Sequence, residues 1–117
     1  MPRYLYTLHA TRADMVATGM TAAELEAFEA HGAHLERLAA EGVVLLVARA
    51  MDAAGDGFGL AIIEAPDDDA AHALAAADPF VARGVATTRV YPFHLSFLAP
   101  ALAASAMGAS TGEPDGR

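Results

Sequence analysis

The sequence contains no cysteine, no tryptophan and no lysine; all seven basic residues are arginine. Composition therefore excludes disulfides, thiolate nucleophiles, CxxC redox pairs, thiolate zinc sites and Schiff-base lysines. Positive charge is scarce as well. Against fifteen Asp and Glu the net charge is −8, and with no basic cluster this argues against nucleic acid and anionic membrane surfaces as partners. No apolar run approaches the roughly 18–20 residues that span a bilayer. Arg3 is followed only by the short Tyr4–Leu8 stretch rather than by a secretion signal, so the expected location is the cytoplasm. The chain is 55 % hydrophobic, but 30 of its 117 residues are alanine, which leaves large apolar side chains for one modest core.

Tyr4-Leu5-Tyr6-Thr7-Leu8-His9 is aromatic and β-prone and reads as a first strand. Ala10 to Met20 has no clean period and reads as a connection. Thr21-Ala22-Ala23-Glu24 is a capping box, and Leu25, Phe28, Leu35 and Leu38 behind it fall on one stripe. With Gly42 at the natural stop, the spacing predicts a helix over Ala22–Glu41. Val43–Val47 is a second strand, Asp52–Gly57 supplies turn chemistry, and Phe58–Ile63 returns as a third. Asp67, Asp68 and Asp69 stand where a helix dipole favours negative charge. That second helix must stop near Asp78, because Pro79 disfavours α geometry in the residue before it. Phe80–Gly84 reads as a short link and Ala86–Leu98 as the last strand. From Ala99 the composition collapses to Ala, Ser, Gly and Pro. The expected organisation is one domain over residues 1–98 and a flexible tail over 99–117, with Met107–Arg117 disordered.

The order β-α-β-β-α-β predicts an α+β, ferredoxin-like fold: a four-stranded antiparallel sheet with two helices on one face. The other face does not read as solvated. Val43–Val47 fails to alternate, Phe58, Leu60 and Ile62 point opposite to Ala61 and Ile63, and Tyr91, Phe93, Leu95 and Phe97 share a side. An exposed apolar face of that size is normally an interface, which predicts a homodimer through sheet faces.

Five histidines carry the possible chemistry. His9 reads as a strand-edge residue, His72 as an exposed helix residue and His94 as a partly buried residue of the last strand. His31 and His34 are three apart and so are neighbours on one helix surface. Gly32 between them costs about 1 kcal/mol relative to Ala, which suggests that the backbone there approaches something closely. A metal on this pair would need a third ligand, and none is expected. Asp78 ends a helix where the dipole disfavours an anion, and the topology lets that end share a cleft with the first helix.

His31-Gly-Ala-His34-Leu35-Glu-Arg-Leu38-Ala-Ala-Glu-Gly42 resembles the H-x-x-x-L-x-x-L-x-x-x-G pattern of YCII-related (YciI-like) domains. Asp78-Pro79-Phe80-Val81-Ala82-Arg83-Gly84-Val85 is similar to that family's D-P-[FY]-V-x-x-G-V, and the resemblance runs over about residues 3–97. It implies a dimeric α+β barrel and a His–Asp active-site pair, here His31 and Asp78. His34 falls where the family varies and takes a supporting place in ligand binding. Ala48-Arg49 stands where many members have Gly-Pro, and Arg49 is a candidate for holding an anionic group of the substrate. The resemblance also implies cofactor-free acid–base proton transfer on a small organic molecule by elimination, isomerisation or, as the family is known for, dehydrochlorination of chlorinated hydroxyquinols. A non-catalytic dimeric module that binds a small molecule is the alternative. Cofactorless oxygenation, as in the wider α+β barrel group, has no positive support in the sequence.

Overall fold

The computed structural model describes residues 1–12, 15–51 and 57–102. The elements are β1 (Arg3–Ala10), α1 (Met15–Thr18), α2 (Ala22–Ala40), β2 (Val44–Met51), β3 (Gly57–Glu64), α3 (Asp68–Ala77), α4 (Pro79–Ala82) and β4 (Ala86–Phe93). One antiparallel sheet in the order β2-β3-β1-β4 carries the helices on one face, the ferredoxin-like arrangement. Among the described residues no helix is long and apolar enough to cross a membrane.

Local chemistry sets the helix ends. The Thr21 hydroxyl accepts from the Glu24 amide at 3.1 Å, and the Thr21 amide donates to the Glu24 carboxylate at 2.8 Å, so the capping box forms in full. At the other end Gly42 takes φ of 81°. Its amide bonds the Ala39 carbonyl and the Val43 amide bonds the Leu38 carbonyl, closing the helix in a Schellman turn. Asp67 caps α3 by accepting from the Ala70 amide at 2.8 Å.

The core lies between the sheet and the helices. Tyr4, Tyr6 and Leu8 project to that side from β1, Ala61 and Ile63 from β3, and Leu35 and Leu38 from α2. Ala71 and Ala75, both fully buried, let α3 approach closely. Only the second half of the expected α2 stripe is buried: Leu25 and Phe28 are each about half exposed, and fully buried Ala27 packs in their stead.

Several expectations are corrected. The connection before α2 holds the short helix α1, and the expected link after Asp78 is the short helix α4. β4 ends at Phe93 rather than Leu98, because Phe93 pairs with Arg3, the first residue of β1, and its partner strand then runs out. Leu95 and Phe97 consequently do not extend the face of Tyr91, and His94 is exposed beyond the strand. Among the described residues a Cβ built on Gly32 meets nothing within 4 Å, so none of them requires glycine there. The turn expected over Asp52–Gly57 falls largely, and the disordered tail Met107–Arg117 wholly, outside the described residues.

Candidate active site

Asp78 is fully buried, and three elements converge on its carboxylate. From α2, His31 Nδ1 lies 2.8 Å from Oδ1 and 3.0 Å from Oδ2. From β1, the Tyr6 hydroxyl donates to Oδ2 at 2.8 Å. From α4, the Phe80 amide donates to Oδ1 at 2.9 Å. This last bond removes the apparent conflict with the α3 dipole. Asp78 ends α3 but is also the N-cap of α4, where an acceptor is favoured. Burial pushes the carboxyl's pKa up, but the bonds from His31, Tyr6 and Phe80 outweigh it and the net shift is downward. Burial first, and the Asp78 charge next, push the Tyr6 phenol far up, so Tyr6 stays a donor.

The imidazole of His31 is held on its flat side too. Phe80 stacks on it with centroids 4.5 Å apart and planes at 17°, and Phe28 stands on α2 one turn before it with centroids 6.3 Å away. His31 keeps only 12 % of its side-chain surface exposed. Its ring lines a cavity of about 290 Å³ between α2 and the sheet, walled mainly by apolar side chains such as Leu8, Met15, Met20, Val47 and Val85. A carboxylate only accepts, so Nδ1 is the donor in this contact, and in the neutral ring Nε2 is then the nitrogen with the free lone pair.

Arg49 reaches the same cavity through a β-bulge. The register of β2 slips between Val44 and Leu46, so Val44 and Val47 both face the helices, and Arg49 follows opposite Gly59. One extra residue turns every later side chain of the strand over. Without the bulge Arg49 would point to the other face. It has no hydrogen bond or ion pair among the described residues.

His34 is not brought to this cavity. It lies near Arg37, with Nδ1 3.1 Å from the guanidinium, and its buried Nε2 has no hydrogen-bond partner among the described residues. Burial pushes its pKa down, against the pull of Asp78. His9 stacks on Phe58 on the opposite face of the sheet, and His72 is exposed and bonds the Asp68 carbonyl. Sequence reasoning missed Tyr6 and Phe80 as neighbours of the pair. The signal for Tyr6 was available: a tyrosine on the buried side of a strand needs a partner for its hydroxyl. Among the described residues no group of three or more His, Asp or Glu is placed to hold a metal ion.

Fold and cavity together define an α+β domain of ferredoxin-like topology built around a hollow of small-molecule size. The chain belongs to the YCII-related domain family, whose model matches residues 4–94. Among solved structures it is similar to 5-chloro-2-hydroxyhydroquinone dehydrochlorinase (TftG) from Burkholderia phenoliruptrix AC1100, solved with 2,5-dihydroxybenzoquinone. The TM-score is 0.57 at 20 % identity, over 78 % of this chain and 93 % of that one. It is also similar to SnoaB, a cofactor-independent oxygenase from Streptomyces nogalater, with a TM-score of 0.46 at 14 % identity over 84 % and 95 % of the two chains. No curated protein matches the chain.

Proposed function

We propose that this protein is a small cytoplasmic enzyme that moves protons on a small organic molecule, with His31 as the base and acid and Asp78 as its orienter. The observation that carries this reading is the 2.8 Å contact between His31 Nδ1 and the buried Asp78 carboxylate beside a cavity that the same imidazole lines. The carboxylate holds the tautomer and stabilises the imidazolium, leaving Nε2 to take a proton from the ligand. The apolar walls suit a body of about one ring, and the unpaired Arg49 suits an anionic substituent.

In a dehydrochlorination, Nε2 accepts the proton from the carbon or hydroxyl being deprotonated. The freed electron pair moves into the substrate, and chloride leaves with the C–Cl bonding pair. The imidazolium then releases its proton to water. Isomerisation uses the same residue to return the proton at another atom. The dehydrochlorinase activity of a similarly folded family member favours the first form. No cofactor is required by either step.

The unit proposed is a homodimer joined through the open sheet faces, where Leu46 and Tyr91 stay more than two-fifths exposed in the single chain.

The test is chloride release from a chlorinated hydroxyhydroquinone by the native chain, His31→Ala and Asp78→Asn. Turnover that drops by roughly 10²–10⁴ in both variants is expected. Saturable binding with no turnover by the native chain would replace the enzyme with the non-catalytic binding module.

A further inference from the structure

We propose that the open face of the sheet carries a second binding site, for an oxyanion group of the carboxylate or phosphate type, centred on Arg89 and Thr7. This face lies across the sheet from the His31 cavity. Its concavity, of about 740 Å³, has a floor of Leu5, Phe58 and Leu60 and polar groups from β1 and β4. Thr7 and Arg89 are directly paired across β1 and β4, and His9 is paired with Thr87 one step along.

Two observations set this face apart from an ordinary apolar interface. Arg89 has no hydrogen bond or ion pair among the described residues. Of the strand residues on this face, Glu64 alone is a carboxylate, and it is engaged by Arg3 at 3.4 Å. Thr7, next to Arg89, is only 6 % exposed, and its buried hydroxyl has no partner among the described residues. A guanidinium without a counter-charge beside an unsatisfied buried hydroxyl is a donor set awaiting acceptors. An oxyanion satisfies both groups at once: the guanidinium offers its fork and the hydroxyl one further donor. The aromatic and aliphatic floor takes whatever apolar portion the anion carries.

The site does not need a second copy of the chain. Where two open faces pair as proposed above, two Arg89 guanidiniums become enclosed together. Uncompensated, that burial is strongly unfavourable, so the anion would then also stabilise the pair.

The experiment is an NMR titration of the full chain with inorganic phosphate and, separately, with acetate, following the Arg89 Nε–H and the Thr7 amide. Saturable shifts at both groups are expected for at least one of the two anions, and the stronger of them identifies the class. Arg89→Gln is expected to weaken binding roughly tenfold or more, while Arg49→Gln leaves it unchanged. Thr7→Val is expected to weaken binding and yet raise the melting temperature, because it removes an unpaired buried hydroxyl; a merely structural threonine would not divide the two readouts. No saturable shift with either anion, or shifts that survive Arg89→Gln, would overturn the site. Sedimentation of the same samples tests the dimer independently: a monomer that still binds through Arg89 keeps this site and rejects only the pairing.

Discussion

The Tyr6 hydroxyl lies 2.8 Å from Asp78 Oδ2, joining the first strand to the end of α3 across 72 residues of chain. The contact leaves the carboxylate no freedom to turn, so that Nδ1 of His31 meets it in one geometry. In the proposed mechanism Tyr6 acts on the imidazole through Asp78, as a positioning residue.

Tyr6→Phe removes that donor and keeps the ring packed in the core. Loss of a hydrogen bond to a buried charged group is expected to cost about 1.5–3 kcal/mol, measured by urea denaturation near neutral pH. Asp78 would lose one of the bonds that lower its pKa, so its protonation would begin at a higher pH. Unchanged stability would remove Tyr6 from the network.

Asp78 makes acid stability the second test. Its folded pKa lies below its unfolded value. In the window between the two, the unfolded chain binds more protons, so stability rises with pH there. The contribution is complete above the usual carboxylate range and fades as pH falls towards the folded value. Asp78→Asn is expected to flatten that acid limb while keeping the donors partly satisfied. Asp78→Ala, which strands the Tyr6 hydroxyl and the Phe80 amide, is expected to cost more, roughly 2–5 kcal/mol. Denaturation curves from neutral pH down into the acid range distinguish the three proteins.

Glu24 provides a second acid limb, away from the cavity's chemistry. Arg12 Nε and Nη2 bond the two Glu24 carboxylate oxygens at 2.9 and 2.6 Å, and Nη2 also reaches the Gly19 carbonyl at 2.7 Å. The Arg12 guanidinium, helped by the Thr21 amide, lowers the Glu24 pKa from 4.5 to about 2. Stability from this contact is present above pH 4.5 and lost as pH falls towards about 2. Glu24→Gln is expected to remove that dependence, read as a smaller change in urea midpoint across the interval. Because Gly19 and Met20 line the cavity, the same variant is also expected to weaken ligand binding.

Arg49→Gln tests ligand recognition without disturbing the fold. The side chain is exposed and unpaired among the described residues, so stability is expected to stay within about 0.5 kcal/mol. Affinity for an anionic aromatic ligand is expected to fall roughly tenfold in calorimetry, with a neutral analogue unaffected. Equal losses for both ligands would mean that Arg49 shapes the wall and reads no charge.

Leu46→Asp tests the pairing of sheet faces. Leu46 lies opposite Ile62 on the open face and is 42 % exposed, so a carboxylate there is solvated in the single chain. Sedimentation is expected to move from dimer to monomer with the far-ultraviolet spectrum unchanged. A native chain that sediments as a monomer at every concentration would end the dimer reading.

Much of the fold was legible in the residues because its signals are local. The capping box at Thr21–Glu24 and the glycine after Glu41 act within one turn, and Pro79 stops α3 one residue away. The motif around Asp78 also marked the carboxylate and the imidazole as partners through resemblance. The end of β4 was not legible, because it depends on where β1 begins: the sequence keeps its β character past Phe93, but no partner strand is left to bond.

By itself, then, the sequence determined the order of the four strands and two long helices, the caps of α2, the exclusion of thiol and lysine chemistry and, through the family resemblance, the pair His31 and Asp78 with His34 and Arg49 as candidates beside it. Tertiary structure alone decided that Tyr6 would join them, that His34 would turn to Arg37, and that Arg49 would face the cavity. The physical reason is that these depend on register and packing between distant segments. Leu45, one residue beyond regular pairing, inverts the faces of the rest of β2, and no alternation pattern read along the chain records such a slip.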